Sequence, residues 1–90
     1  MDMDYDKIDD CTLALLYLVT SEGKYGARAW KSFDWETMNR LHEKGYISDP
    51  KRKAKSVAVS EEGLARAREL FEHFFARLGG RPNQRFKMVE

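Results

Sequence analysis

Four positively charged side chains lie within five residues of one another, at Lys51, Arg52, Lys53 and Lys55, between two short apolar segments. Lysine and arginine at this density can contact several neighbouring phosphates of a nucleic acid and release the counterions bound there. The alternative is a solvated turn whose charges keep the edge of a small sheet from pairing with another chain. Both interpretations stay open from these residues alone.

More cations lie on or near the helix that we predict before this turn. Arginine on such a helix can read a guanine edge in the major groove. The alternative is an ordinary wet helix face, because Glu36 and Glu43 on the same helix would repel phosphates. If DNA is bound, Arg28 and Lys31 give lateral support to the helix and turn. The predicted DNA-contacting residues are Arg28, Lys31, Arg40, Lys44, Lys51, Arg52, Lys53 and Lys55.

Residues suited to catalysis or metal binding are few. His42 and His73 are isolated in the sequence, and together with the single Cys11 they do not have the spacing of zinc ligands. The sequence has no glycine-rich phosphate loop before a helix. We therefore expect neither an enzyme nor a bound metal or cofactor.

Charge and hydropathy indicate a cytoplasmic protein. The formal net charge is +1, but residues 1–10 contain five Asp and one Lys, net −4, the reverse of the basic start of a signal peptide. The longest apolar run, residues 13–19, is far shorter than the roughly 20 residues of a membrane span. One cysteine cannot form an intrachain disulfide. We expect no membrane partner.

Hydrophobic spacing predicts three helices before the basic turn. "DKIDDCTLALLYLVTSEG" is apolar nearly all round, which favours a helix at the centre of the core. "KYGARAWKSF" is predicted as a helix of two turns. The next helix begins at Asp34 or Ser32, whose side chain can cap it, and ends at Gly45.

The basic turn connects two extended segments. "KSVAVS" alternates apolar and polar residues and predicts the return strand of a two-stranded hairpin that begins at residues 46–47. Ser60 is a suitable N-cap for the last helix, which Gly79 and Gly80 end. Residues 1–78 are thus predicted to form one domain, and residues 79–90 a mobile basic tail.

Four aromatic side chains lie between residues 25 and 35: Tyr25, Trp30, Phe33 and Trp35. Such a cluster usually closes a small core, because each ring buries about 150–250 Å². The alternatives are a ligand cage or a platform for base stacking. We favour the core interpretation and expect Trp30 to be the most exposed of the four, because cations flank it.

The last helix has an apolar seam with steps of three and four residues. This seam is longer than one domain of this size needs, which favours a homodimer through the helix. A two-fold dimer would place two hairpins on one side. The alternative is a helix packed wholly within one monomer. The predicted dimer residues are Leu64, Phe71, Phe74, Phe75 and Leu78.

Residues 34–75 resemble winged-helix DNA-binding domains, and most closely the MarR-type bacterial regulators. "LHEKGYI" is similar to the end of their recognition helix, "DPKRKAK" to their basic wing, and "VAVSEEG" to the start of the helix that follows. The resemblance implies a mostly α fold with a small two-stranded antiparallel hairpin, a winged helix-turn-helix. The wider stretch "RAWKSFDWETMNRLHEKGYISDPKRKAKSV" also resembles a family of small uncharacterised bacterial proteins, which implies no activity.

The residues and the resemblance together predict a small bacterial transcription regulator that binds double-stranded DNA as a homodimer. The alternative is a winged-helix-derived module that holds a protein partner through its aromatic surface and last helix, without binding DNA. The basic turn favours DNA binding, whereas the negative charge of the would-be recognition helix favours the protein partner.

Overall fold

The computed structural model describes residues 1–24 and 26–77. These residues form three helices and a three-stranded antiparallel sheet. The fold is therefore mixed α/β, with more sheet than the predicted two-stranded hairpin. In chain order the elements are α1 Tyr5–Leu18, β1 Thr20–Gly23, β2 Gly26–Trp30, α2 Trp35–Glu43, β3 Ser56–Val59 and α3 Glu61–Phe75.

Each helix begins at a side chain that accepts a backbone hydrogen bond. Asp34 accepts from the N–H of Thr37, and Ser60 accepts from the N–H of Gly63. Ser60 is the cap that the sequence predicted for its helix, and of the two predicted alternatives for α2 the cap is Asp34 rather than Ser32. Asp4 caps α1 in the same way. Just beyond α2, Gly45 has φ of +83°, a left-handed conformation that glycine adopts without strain.

The predicted short helix around residues 24–33 is wrong, because this segment contributes β2. Strand β2 pairs with β1 on one side and with β3 on the other. Its burial alternates: Ala27 and Ala29 face the core, whereas Gly26, Arg28 and Trp30 are exposed. This period of two belongs to a strand, and pairing on both edges outweighs the helix propensity of alanine.

The predicted return strand is present as β3, but the segment predicted to pair with it, at residues 46–47, forms no regular strand. Only Ile47 forms an isolated bridge, to Val59, whereas the paired strand is β2, with Ala29 opposite Val57. The prediction of a two-stranded sheet was thus wrong by one strand. The basic turn consequently follows a short bridge and leads into the edge strand of a larger sheet.

The core lies between the inner face of the sheet and the three helices. Leu13 and Leu16 of α1, Met38 and Leu41 of α2, and Val57 of β3 are all at most 1% exposed. The centre of α1 is buried as expected, but its C-terminal end exposes apolar side chains. No helix within the described ranges is both long and apolar enough to cross a membrane. The predicted tail, residues 79–90, lies outside the described residues.

Candidate nucleic-acid interface

The basic loop, residues 49–55, connects the Ile47 bridge to β3. Asp49 shapes its start, since its Oδ1 accepts from the N–H of Lys51 at 2.9 Å. Pro50 is buried beneath it, whereas residues 51–55 are exposed. Its four cations therefore project from a turn that is anchored at its first two residues.

Arg28 of β2 lies beside the end of this loop. Its Nε donates to Ser56 Oγ at 2.9 Å and its Nη2 to the Ser56 carbonyl oxygen at 3.0 Å. Ser56 is the first residue of β3 and directly follows the loop. Because a guanidinium has five N–H donors, these two bonds orient Arg28 and leave three donors for a ligand.

Lys31, which directly follows β2, connects the sheet to the basic loop. Its Nζ donates to the Pro50 carbonyl oxygen at 2.8 Å and also to the Arg52 carbonyl oxygen. Lys31 thus holds the loop against the sheet and brings its own charge to the same place. We call the resulting set the basic surface, and it consists of Arg28, Lys31, Lys51, Arg52, Lys53 and Lys55.

The cations of the basic surface stay outside the ion pairs of the described part of the chain. None of its six cations forms an ion pair with a carboxylate there. The acidic N-terminus instead pairs with helices, since Asp10 lies 3.9 Å from Arg66 and Asp9 contacts Arg40 and Lys44. The basic surface therefore keeps its positive potential for a partner.

Trp30 and Trp35 are both on the surface. Trp30 is 56% exposed and Trp35 is 53% exposed, so the prediction that this cluster closes the core is wrong for both indoles. The expectation that Trp30 is the most exposed of these rings is confirmed among the described residues. Phe33 is partly buried against the core, and Tyr25 lies outside the described residues. Trp30 points to the same sheet face as Arg28, and Ser56 is its cross-strand neighbour.

Arg40 and Lys44 take part in an ion-pair network between α1 and α2, centred on the buried carboxylate of Asp9. Arg40 Nε lies 2.8 and 3.0 Å from the carboxylate oxygens of Asp9, which is 1% exposed. Lys44 Nζ lies 2.9 Å from Asp9 Oδ2 and 3.2 Å from Asp6 Oδ1. The structure thus directs both predicted groove residues toward carboxylates of their own chain.

Further contacts hold Arg40 in this network. Its Nη2 donates to Thr37 Oγ1 at 3.1 Å, and that hydroxyl donates to Asp34 Oδ2 at 2.9 Å. Its guanidinium lies 4.8 Å from the centroid of the Tyr5 ring. The sequence hinted at this network only through its spacing, since Asp6 and Asp9 can share one face of α1.

Two pKa shifts follow from the same contacts. Burial alone would lower the pKa of Lys44, but the hydrogen bonds to Asp9 and Asp6 outweigh it, so the pKa is raised. The hydrogen bonds from the hydroxyl and the backbone N–H of Thr37 lower the pKa of Asp34. Both residues are thereby stabilised in their charged forms.

Most of the predicted dimer residues pack within their own chain. Phe71 is 5% exposed, and Leu64 and Phe74 are partly buried against the core. Phe75 is 46% exposed, with its ring centroid 5.2 Å from that of Phe71. Leu78 lies outside the described residues. Only Phe75 among the described four therefore presents a large apolar surface to solvent.

Comparisons with known proteins give a family without an assigned activity. A family model described as a domain of unknown function (DUF6429) matches residues 4–77. The uncharacterized protein y4hR of Sinorhizobium fredii (strain NBRC 101917 / NGR234) is 51% identical over 77 residues, which are 86% of this chain and 100% of the relative. No solved structure matches the chain. The expected resemblance to small uncharacterised bacterial proteins is thus confirmed.

Proposed function

This chain belongs to the DUF6429 family of domains of unknown function, and we propose that it binds DNA through the basic surface. The observation that carries the proposal is the contrast between its two groups of cations. Arg40 and Lys44 of α2 face carboxylates within 2.9 Å. Those of the basic surface have no such partner among the described residues, and phosphates would neutralise them.

The basic loop resembles the wing of a winged-helix domain in its position. It follows α2, leads into β3, and is held against β2 by the Nζ of Lys31. A loop fixed at its base can lay its cations along a phosphate backbone with little loss of entropy on binding. The winged-helix interpretation therefore supports phosphate contacts by the loop.

Reading of the major groove by α2 has less support. The helix that would precede a recognition helix is replaced by the β1–β2 hairpin. Arg40 is held by Asp9 and Thr37, and a base edge would have to compete with both. We therefore propose binding with little dependence on base sequence. A role in transcription regulation follows from the resemblance to MarR-type regulators and stays a prediction.

Fluorescence anisotropy with a random duplex at about 50 and about 200 mM salt tests the proposal. We expect micromolar or tighter binding that weakens steeply with salt and is lost in Arg52→Glu/Lys53→Glu. The matched control is Arg68→Glu/Arg77→Glu, which makes the same change in net charge at exposed positions in and after α3. Absence of binding at the lower salt, or equal loss in both variants, would contradict the proposal.

We propose a protein-interaction surface as the second candidate, in keeping with a homodimer. The C-terminal ends of α1 and α3 expose apolar side chains: Leu15 is 41% exposed, Leu18 39%, Val19 41% and Phe75 46%. The two helices pack against each other near these ends, where the ring centroids of Tyr17 and Phe71 lie 5.4 Å apart. Exposed apolar side chains on neighbouring elements favour contact with a second protein surface.

A further inference from the structure

We propose that the basic surface prefers single-stranded nucleic acid, with an unpaired base stacked on the indole of Trp30. This inference rests on the proposed function and names the class of strand that it takes. Three observations support it: the exposure of Trp30, its place near several cations, and the ion pairs that hold Arg40 and Lys44 of α2.

The indole of Trp30 lies open on the outer face of the sheet. It is 56% exposed, and its cross-strand neighbour is Ser56, a small residue. The next row of the same face consists of Ser21, Arg28 and Ala58, so Arg28 supplies its one long side chain. Among the described residues the indole has no ring or cation–π contact. One large flat ring thus stands among small neighbours, where a base can reach it.

Three cations lie near this ring, and Arg28 shares its sheet face. Arg28 lies two residues away on β2, which puts its Cα about 6.8 Å from that of Trp30. Lys31 follows Trp30 in the chain and is bonded to the carbonyl oxygen of Pro50 in the basic loop. Lys55 precedes Ser56, the residue opposite Trp30. A nucleotide can therefore place its base on the indole and its phosphates on these cations.

A duplex cannot use this ring without losing its own stacking. In double-stranded nucleic acid each base face is covered by the neighbouring base pair, whereas in a single strand the faces are accessible. The α2 residues that would read a duplex groove, Arg40 and Lys44, are bonded to Asp9. Duplex binding then depends on phosphate contacts alone, and a single strand gains stacking in addition.

The first test compares equal-length strands at about 50 mM salt: dT12, rU12 and a duplex. We expect the single strands to bind more tightly than the duplex. Trp30→Ala should weaken single-strand binding on the order of 5- to 100-fold and leave duplex binding unchanged. Trp30→Phe should retain most of the affinity, because its ring still stacks. Tighter binding of the single strands that is lost in Trp30→Ala supports the stacking site, and the tighter binder of dT12 and rU12 identifies the natural strand as DNA or RNA.

Indole fluorescence gives a second readout that needs no alanine variant. The sequence has two tryptophans, so Trp35→Phe leaves Trp30 as the sole reporter and Trp30→Phe leaves Trp35. Stacking of a base should quench the emission of Trp30 in the first protein at strand concentrations that saturate the anisotropy signal. The second protein is the matched control, since Trp35 is equally exposed but begins α2.

Three results would overturn the inference in distinguishable ways. Tight duplex binding with no quenching of Trp30 and no effect of Trp30→Ala would reject the stacking site and leave the DNA-binding proposal standing. Failure of every strand to bind would reject both. Equal quenching of Trp30 and Trp35 would also reject the assignment of the stacked base to Trp30.

Discussion

The buried carboxylate of Asp9 binds the guanidinium of Arg40 across the α1–α2 contact, with Nε–O distances of 2.8 and 3.0 Å. The side chain of Asp9 is 1% exposed and that of Arg40 is 24% exposed. Lys44 joins the same carboxylate at 2.9 Å. The positive charge of Arg40 and Lys44 on α2 therefore helps to hold two helices together, whereas the cations of the basic surface form no ion pair among the described residues.

Replacing Asp9 should destabilise the fold. Asp9→Ala leaves Arg40 and Lys44 without their shared carboxylate, and we expect the free energy of unfolding to fall by about 2–3 kcal/mol. A fully buried pair would lose more, but both cations keep some contact with water. Urea unfolding measures the change. The control is Asp6→Ala, whose side chain is 90% exposed and whose ion pair is screened by solvent, with an expected loss under about 1 kcal/mol. Equal losses would contradict the prediction.

The charge of Asp34 should add a pH dependence to stability. Hydrogen bonds from Thr37 lower its pKa in the folded state below the ordinary value of 3.8. A lowered pKa means that the contribution is present above pH 3.8 and is lost as the pH falls through the folded-state pKa. Asp34→Asn keeps a capping oxygen but removes the titration. Urea unfolding should thus show wild type more stable than Asp34→Asn near neutral pH, with a difference that vanishes in acid; a constant difference would contradict this.

Gly63 should not tolerate a larger side chain. A Cβ at this position would lie 2.2 Å from the carbonyl oxygen of Tyr46, which is backbone and cannot move aside easily. Glycine to alanine within a helix usually stabilises, but here we expect Gly63→Ala to lower the free energy of unfolding by about 1–3 kcal/mol. The control is Gly23→Ala, whose Cβ would lie 3.8 Å from the carbonyl oxygen of Gly26. Thermal unfolding that leaves Gly63→Ala at or above wild type would disprove the clash.

The salt dependence of DNA binding should report on the basic loop. Each phosphate neutralised on a duplex contributes about −0.9 to the slope of log affinity against log salt. Arg52→Ala/Lys53→Ala should therefore reduce the magnitude of the slope by about 1.8. Anisotropy titrations at several salt concentrations measure it, with Arg68→Ala/Arg77→Ala as the control that keeps the wild-type slope. An unchanged slope in the loop variant would place the phosphates elsewhere.

The exposed apolar ends of α1 and α3 should control self-association. We expect the protein to form a dimer at high concentration, and Leu18→Ser/Phe75→Ser to shift it toward the monomer, because the contact would lose its apolar area. Light scattering over a concentration series measures the average mass. The control is Met3→Ser, at an apolar residue that is 48% exposed before α1. A monomeric wild type at every concentration would reject the homodimer.

Local signals in the sequence correctly predicted several elements. The caps at Asp34 and Ser60 depend on side chains that bond backbone three residues ahead, and such short-range bonds can be read from a few neighbouring residues. The alternation in β3 and the exposure of the basic loop are also local properties. The helix predicted for residues 26–30 is wrong, because the secondary structure of this segment depends on pairing with β1 and β3 rather than on its own helix propensity.

By itself, then, the sequence determined where helix α3 begins and limited the cap of α2 to Asp34 or Ser32. It also predicted a strand before Ser60 and an exposed cluster of cations. Only the tertiary structure decided which cations are available to a partner. Arg40 lies 31 residues from Asp9, and their pairing depends on how α1 packs against α2. The sequence shows which side chains are charged. Whether a charge is neutralised depends on a contact between distant segments of the chain, and no local pattern specifies that contact.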